Sequence, residues 1–202
     1  VRAIQRLTSI SDLRPQWLPV CWRVKSLTAA ITYEKGECGM IFKGFARCFG
    51  DNITSDHLTP TKYKEYDFTM KDYAEHMMED IRPGFYGEIK PGDFIVAGTN
   101  FGCGSSRESA AAAVREAGLS GVIAKSFNRT FLRNAVSLGV PLFECDTSVI
   151  REGDEIELNT DTGIIRTPNG EYRTTSFPPA LLEVVLAGGM LDYFKENGRY
   201  KV

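Results

Sequence analysis

Residues 100–109 read NFGCGSSRES, so two adjacent serines and an arginine follow two glycines and precede a run of alanines. The alanine run predicts a helix that starts within this stretch. A helix N-terminus after a glycine turn presents unpaired N–H groups and partial positive charge, which together bind anions. Arg107 adds a guanidinium fork suited to a carboxylate. The pattern predicts a site for a small acid, where a stabilised serine alkoxide takes a proton from a carbon next to a carboxylate.

The same residues also fit a purely structural role. Ser105 and Glu108 match the capping box S-x-x-E, in which the serine accepts the N–H of the glutamate and the glutamate side chain reaches back. Local evidence leaves both interpretations open. Three other loop motifs do not fit. The dinucleotide-binding fingerprint fails because Arg107 stands where its third glycine belongs, and the phosphate-binding P-loop fails because no G-K-[ST] follows. The G-x-S-x-G nucleophile motif of hydrolases is absent.

A second polar loop, GDNITSDHLTP, spans residues 50–60. One interpretation is a turn rich in aspartate, asparagine and threonine that ends at a proline. The other is that this loop forms a wall of the same site, with Asp56 and His57 near the reacting group. The residues of the loop do not decide between the two.

Composition restricts the class of protein. The chain has 202 residues, a net charge of -2 and a hydrophobic fraction of 43%, which indicates a globular protein without an electrostatic preference for nucleic acid or charged membranes. No apolar stretch approaches the length of a membrane-spanning helix. Five cysteines without a C-x-x-C pair indicate a reducing compartment, and two scattered histidines do not form a zinc site. We therefore expect no metal in this chain, and neither a nucleic-acid nor a membrane partner.

Strand and helix patterns alternate from Met40 onward. The segments predicted as strands are residues 40–48, 92–100, 121–126 and 141–145, with a hairpin over 154–167. The segments predicted as helices are residues 69–81, 106–118, 129–139 and 179–198. Such a series favours right-handed crossovers and an α/β fold with a mainly parallel central sheet flanked by helices.

Residues 1–39 differ from the rest of the chain. They have no sustained periodicity, and up to Thr32 basic residues outnumber acidic ones. Three interpretations stay open: an upstream extension with Met40 as the natural start, an acid-poor transit peptide, or an ordered extension that contacts another subunit. In all three, the domain is predicted to span residues 40–202.

The two polar loops together resemble the mobile C-terminal (swivel) domain of the aconitase superfamily. Within it, their order and spacing are most similar to the small-subunit family of the 3-isopropylmalate dehydratases. Further matches are GVIAKSFNRTFLRNAVSLGVPL at residues 121–142 and LLEVVLAGGMLDYF at 181–194. The resemblance covers Met40 to Phe194 and implies the swivel-domain fold, of β/β/α type.

The resemblance implies a hydro-lyase that isomerises a hydroxy acid by removing and re-adding water, in leucine biosynthesis. In such enzymes the large subunit holds a 4Fe-4S cluster through three cysteines. The cysteines of this chain do not match a cluster motif. The expectation is therefore a two-chain enzyme, a heterodimer or heterotetramer, in which this chain is inactive alone. The implied compartment is the cytoplasm, or an organelle matrix if residues 1–39 are a transit peptide.

The resemblance also implies roles for individual residues. Ser105 corresponds to the catalytic base, and Ser106 and Arg107 correspond to groups that hold substrate carboxylates. Asp56 and His57 match the D-H pair of the aconitase-like loop and are expected to contact the substrate.

The segment TKYKEYDF at residues 61–68 departs from the family pattern. Lys62 stands where an arginine is usual, and Lys64 replaces an apolar residue. The loop is associated with substrate choice, so we expect both lysines near the substrate and a preference for a polar or charged side group. Homoaconitate and 2,3-dimethylmalate are then alternatives to 3-isopropylmalate. A non-catalytic anion-binding module on the same scaffold is the alternative from a different class. Ser109, where histidine is frequent, is expected to affect packing only.

Overall fold

The computed structural model describes residues 33–35, 40–63, 68–175 and 178–198. The strands are β1 (Tyr33–Lys35), β2 (Met40–Cys48), β3 (Phe94–Ala97), β4 (Gly121–Ala124), β5 (Leu142–Glu144), β6 (Glu155–Asn159), β7 (Ile164–Thr167) and β8 (Gly170–Arg173). The helices are α1 (Ser55–Leu58), α2 (Met70–Glu75), α3 (Phe85–Glu88), α4 (Ser109–Glu116), α5 (Arg129–Leu138), α6 (Pro179–Leu186) and α7 (Met190–Asn197). Short 3-10 turns cover Thr61–Tyr63 and Thr147–Val149.

The strands form one mixed sheet in the order β5-β4-β3-β2-β6-β7-β8, with β1 also paired to β2. The pairs β2 with β3, β3 with β4 and β4 with β5 are parallel. The remaining pairs, β1 with β2, β2 with β6, β6 with β7 and β7 with β8, are antiparallel. The predicted parallel centre and the hairpin of β6 and β7 are therefore confirmed, whereas β8 was not foreseen.

The parallel strands are buried on both faces, as their apolar sequences dictate. In β3, alternate side chains point to opposite faces of the sheet. Ile95 and Ala97 join the core beneath the helices, while Phe94 and Val96 join a second core on the other face. All four are at most 2% exposed, so β3 lies at the centre of the domain.

Strand β1 falls within residues 1–39. It pairs antiparallel with β2, with Tyr33 opposite Phe42 and Lys35 opposite Met40. Residues 1–32 and 36–39 lie outside the described part of the chain, so the three interpretations of this segment stay predictions.

The helix predicted over residues 69–81 ends earlier than expected. Helix α2 stops at Glu75, and Met78 adopts a left-handed φ of 62°. The N–H of Met78 donates to the carbonyl of His57 at 2.7 Å. This turn buries Met77 and Met78 side by side in the core.

The single helix predicted over residues 179–198 is two helices. Gly188 and Gly189, with φ of 94° and 109°, separate α6 from α7. A Cβ on Gly189 would lie 2.4 Å from the carbonyl oxygen of Ser137. The glycine pair therefore permits both the change of direction and the close approach to α5.

The two polar loops leave adjacent strands of the sheet. Residues 49–60 follow β2, and residues 98–108 follow β3. Because β2 and β3 are parallel neighbours, both loops emerge at the same edge, where open α/β sheets bind their ligands. The topology thus brings the two sequence motifs together.

The second loop packs closely against α5 at Gly102, and replacement of Gly102 tests this packing. Its φ is 78°, and a Cβ would lie 2.2 Å from the Cγ of Phe131. Gly153 is a matched control, since its φ is 80° and a Cβ would meet nothing within 4 Å. We expect Gly153→Ala to cost about 1–2 kcal/mol of unfolding free energy from backbone strain, and Gly102→Ala about 1–3 kcal/mol more from the clash. Urea unfolding measures both; equal losses would contradict this packing.

Candidate active site

Backbone hydrogen bonds hold the two loops side by side. Gly102 donates to the carbonyl of Ile53 at 2.7 Å, and Ser55 donates to the carbonyl of Cys103 at 2.8 Å. Thr54 and Cys103 form a parallel β-bridge. The loops therefore extend the pairing of β2 and β3 beyond the ends of both strands.

A hydrogen bond between two asparagines joins the loops near their start. Asn52 and Asn100 both adopt left-handed φ values, of 56° and 59°, a conformation that asparagine tolerates better than most residues. The Nδ2 of Asn100 donates to the Oδ1 of Asn52 at 2.9 Å. Beside them the N–H of Thr99 donates to Asp51 at 2.6 Å and holds the pKa of that carboxyl below its ordinary value.

Arg107 joins the key residues of the two loops. Its Nε donates to the Oγ of Ser105 at 3.1 Å, and its Nη2 donates to the Oδ1 of Asp56. Its Nη1 lies 3.5 Å from the carbonyl oxygen of Thr59, a long contact that leaves this nitrogen able to donate to a carboxylate. The structure thus brings together three of the predicted site residues, Ser105, Arg107 and Asp56.

Ser55 determines where the backbone of Ser105 points. Ser55 is 1% exposed, and its Oγ accepts the N–H of Ser105 at 2.9 Å. That N–H is therefore paired within the protein and is not one of the unpaired N–H groups that the anion-site prediction invoked. Arg107 is the donor that does face this Oγ.

The predicted capping box is wrong. Helix α4 begins at Ser109, with Glu108 as its N-cap and without a side-chain cap bond. The preceding backbone is held elsewhere, because Asn134 on α5 donates to the carbonyl of Ser106 at 3.1 Å. Ser105 therefore lies in the loop before the helix and does not cap it.

A capping box does form in the other loop, at α1. Thr54 accepts the N–H of His57 at 3.2 Å, and the Nδ1 of His57 accepts the N–H of Thr54 at 3.1 Å. A ring nitrogen that accepts an N–H carries no proton, so the neutral ring holds its proton on Nε2. His57 thus stabilises the turn that places Asp56 and retains one donor.

Lys62 forms ion pairs with two carboxylates after α2. Its Nζ donates to Asp80 at 2.8 Å and to Glu79 at 3.1 Å, and these bonds raise the pKa of Lys62 above its ordinary value. Lys64, the other predicted residue of this segment, lies outside the described residues.

The site is open to solvent. Gly104, Ser105, Ser106 and Asp56 are all exposed, and the Asp56 side chain is 53% accessible. Among residues 40–63, 68–175 and 178–198, no group of three or more His, Cys, Asp or Glu residues is placed to hold a metal ion. In the same part of the chain, none of the helices has the length and apolarity required to traverse a bilayer.

Sequence reasoning assigned no role to Ser55, Thr59 or Asn134. Ser55 and Thr59 lie in the second motif, so their position was visible, but their bonds to Ser105 and Arg107 depend on the tertiary pairing of the loops. Asn134 lies on α5, far along the chain from the motifs, and no local signal marks it.

The chain is similar to proteins of known family. The family described as the aconitase C-terminal domain matches residues 72–144. The 3-isopropylmalate dehydratase small subunit 2 of Archaeoglobus fulgidus is 45% identical over 161 residues, which cover 79% of this chain and 98% of that protein. The small subunit 1 of the same enzyme from Thermotoga maritima is 41% identical over 155 residues, covering 75% and 93%.

A solved structure shows the same fold. The 3-isopropylmalate dehydratase (leuD) of Methanocaldococcus jannaschii matches with a TM-score of 0.75 at 38% identity, covering 79% of this chain and 96% of that one. The predicted swivel-domain fold is confirmed. The chain therefore belongs to the family of 3-isopropylmalate dehydratase small subunits, hydro-lyases of the aconitase superfamily.

Proposed function

We propose that this chain, paired with a large subunit, isomerises 3-isopropylmalate by dehydration and rehydration, with Ser105 as the base. The observation that carries the proposal is the bond from the Nε of Arg107 to the Oγ of Ser105, made while Nη2 of Arg107 holds Asp56. A guanidinium on the hydroxyl oxygen favours the alkoxide, because a positive donor stabilises negative charge there.

Ser105 then acts on the carbon next to a substrate carboxylate. The proton passes from this carbon to the Oγ of Ser105, and the electron pair of the C–H bond becomes the double bond as the hydroxyl departs. Rehydration adds a hydroxyl to the carbon that lost the proton and returns the proton to the carbon that lost the hydroxyl, so the two groups have exchanged places. The exposed loop position of Ser105 leaves its Oγ accessible to such a substrate.

The carboxylates of the substrate are held by the groups around Ser105. Nη1 of Arg107 has only the long contact to Thr59, so it can donate to a carboxylate oxygen together with the hydroxyl of Ser106. Asp56 keeps the guanidinium in place and can yield Nη2 to a second oxygen. His57 contributes the proton on Nε2 as a further donor.

We propose that the large subunit excludes water from the site and supplies a Lewis acid. A site with its base and its arginine on an exposed edge requires a second surface to exclude water from the reaction. We place the 4Fe-4S cluster in the large subunit, where it would supply a Lewis acid for the departing hydroxyl. The assembly is then a heterodimer or a multiple of it, in the reducing cytoplasm.

Lys62 and Lys64 follow the proline that ends the loop of Asp56. We propose that this segment lines the side of the site that receives the substituent of the malate. The short 3-10 turn Thr61–Tyr63 begins directly after Pro60, which keeps Lys62 close to the carbonyl of Thr59 that faces Arg107.

Replacement of Ser105 tests the base. In the assembled enzyme we expect Ser105→Ala to lower kcat by at least about 1,000-fold with little change in KM, because a base acts only in the transition state. Thermal unfolding should change little, since Ser105 does not cap α4. Steady-state kinetics and melting temperature on the same preparation measure both.

Ser137→Ala is the matched control, because this serine of α5 bonds the sulfur of Met190 rather than a site residue. It should leave kcat unchanged. A Ser105→Ala enzyme with near-normal kcat would contradict the role of Ser105 as the base.

Replacement of Arg107 tests carboxylate binding. Arg107→Lys keeps the charge but cannot bond Ser105, Asp56 and a substrate carboxylate at once. We expect KM to rise by about tenfold or more, together with a fall in kcat because the alkoxide loses its donor. Arg133→Lys, an exposed arginine on α5, should leave both constants unchanged. An unaltered KM in Arg107→Lys would exclude Arg107 from substrate binding.

A further inference from the structure

Lys62 lies beside the proposed substrate site. The N–H of Tyr63 donates to the carbonyl of Pro60 at 3.2 Å, which closes a tight turn around Lys62. Lys62 is three residues from Thr59, so their Cα atoms are within about 10 Å. The carbonyl of Thr59 in turn faces the guanidinium of Arg107. Lys62 therefore lies on the part of the loop that we propose to face the substituent of the bound acid.

The charge of Lys62 is nevertheless already compensated. Its Nζ donates to Asp80 and to Glu79, and its cation also lies 5.2 Å from the centre of the Tyr63 ring. An ammonium group has three donors, and two of them are used by these carboxylates. The three charged groups together carry one net negative charge.

Glu79 is held firmly in this position. Both of its oxygens lie 3.1 Å from the hydroxyl of Tyr63, and Oε2 lies 2.5 Å from the Nδ1 of His76. The ring of His76 lies 4.3 Å from that of Tyr63. The bond to His76, followed by the bonds to Lys62 and Tyr63, holds the pKa of Glu79 below its ordinary value. The carboxylate therefore stays ionised and does not leave Lys62 by protonation near neutral pH.

We propose that Glu79 and Asp80 determine the side group that the substrate can carry, because they neutralise Lys62. The inference rests on the proposed function. A malate with a third carboxylate on its side group would meet a cluster of net negative charge at Lys62 and be rejected. A malate with an uncharged side group would meet no such repulsion. This reverses the preference that Lys62 indicates when the sequence is read without the structure.

Neutral, isosteric replacement of both acids tests the proposal. The assembled two-chain enzyme is assayed with 3-isopropylmalate and with a malate whose side group of similar length ends in a carboxylate. We expect Glu79→Gln with Asp80→Asn to raise kcat/KM for the tricarboxylate, relative to 3-isopropylmalate, by about tenfold. Both substrates are measured on one preparation, so the ratio does not depend on the fraction of folded enzyme.

Two controls assign the effect to Lys62. Glu75→Gln removes a carboxylate that pairs with Lys71 on the surface of α2 and should not alter the ratio. Lys62→Met, added to the double variant, removes the uncompensated cation and should lower the ratio below that of the double variant. The proposal is overturned if the double variant leaves the ratio unchanged, or if its shift persists undiminished with Lys62→Met.

The unaltered enzyme separates this inference from the proposed function. If it does not turn over 3-isopropylmalate, the proposed function fails, whatever the ratios of the variants. If it turns over 3-isopropylmalate and the double variant shows no shift, the proposed function stands and Glu79 and Asp80 do not determine specificity.

Discussion

Arg107 can bond Ser105 and Asp56 together only because two loops are held side by side, although Asp56 and Arg107 are 51 residues apart in sequence. The parallel pairing of β2 with β3 starts this alignment, and the backbone bonds between residues 53–55 and 102–103 continue it. Each of these bonds is modest in net free energy, about 1 kcal/mol. Together they fix the separation of the loops, and the site depends on that separation.

The same alignment explains why Ser105 does not cap α4. Ser55 binds the backbone N–H of Ser105, and Asn134 binds the carbonyl of Ser106. With its backbone held at these two points, the segment stays outside the helix and α4 begins only at Ser109. The side chain of Ser105 is left facing Arg107, on an edge of the sheet that is open for a second subunit.

The sequence was sufficient for the features that local patterns encode. The alternating strands, the hairpin of β6 and β7, the two helices α4 and α5, and the pairing of two polar motifs were all predictable from periodicity and resemblance. What it could not show depends on distant contacts. The capping box predicted at Ser105 does not form, because Ser55 accepts the backbone N–H of Ser105. Helix α2 ends earlier than predicted because the N–H of Met78 donates to the carbonyl of His57. The ion pairs of Lys62 with Glu79 and Asp80 depend on the turn after α2, which the sequence does not reveal.

The central claim is that the two loops act as one catalytic unit through Arg107. A double-mutant cycle with Asp56→Ala and Ser105→Ala, measured as kcat/KM of the assembled enzyme on 3-isopropylmalate, tests it most directly. The account predicts that Asp56→Ala alone slows the enzyme by about tenfold or more, while the double variant is no slower than Ser105→Ala alone, because residues of one unit are not additive. Strictly additive losses in activation free energy, or an Asp56→Ala enzyme of normal activity, would contradict it.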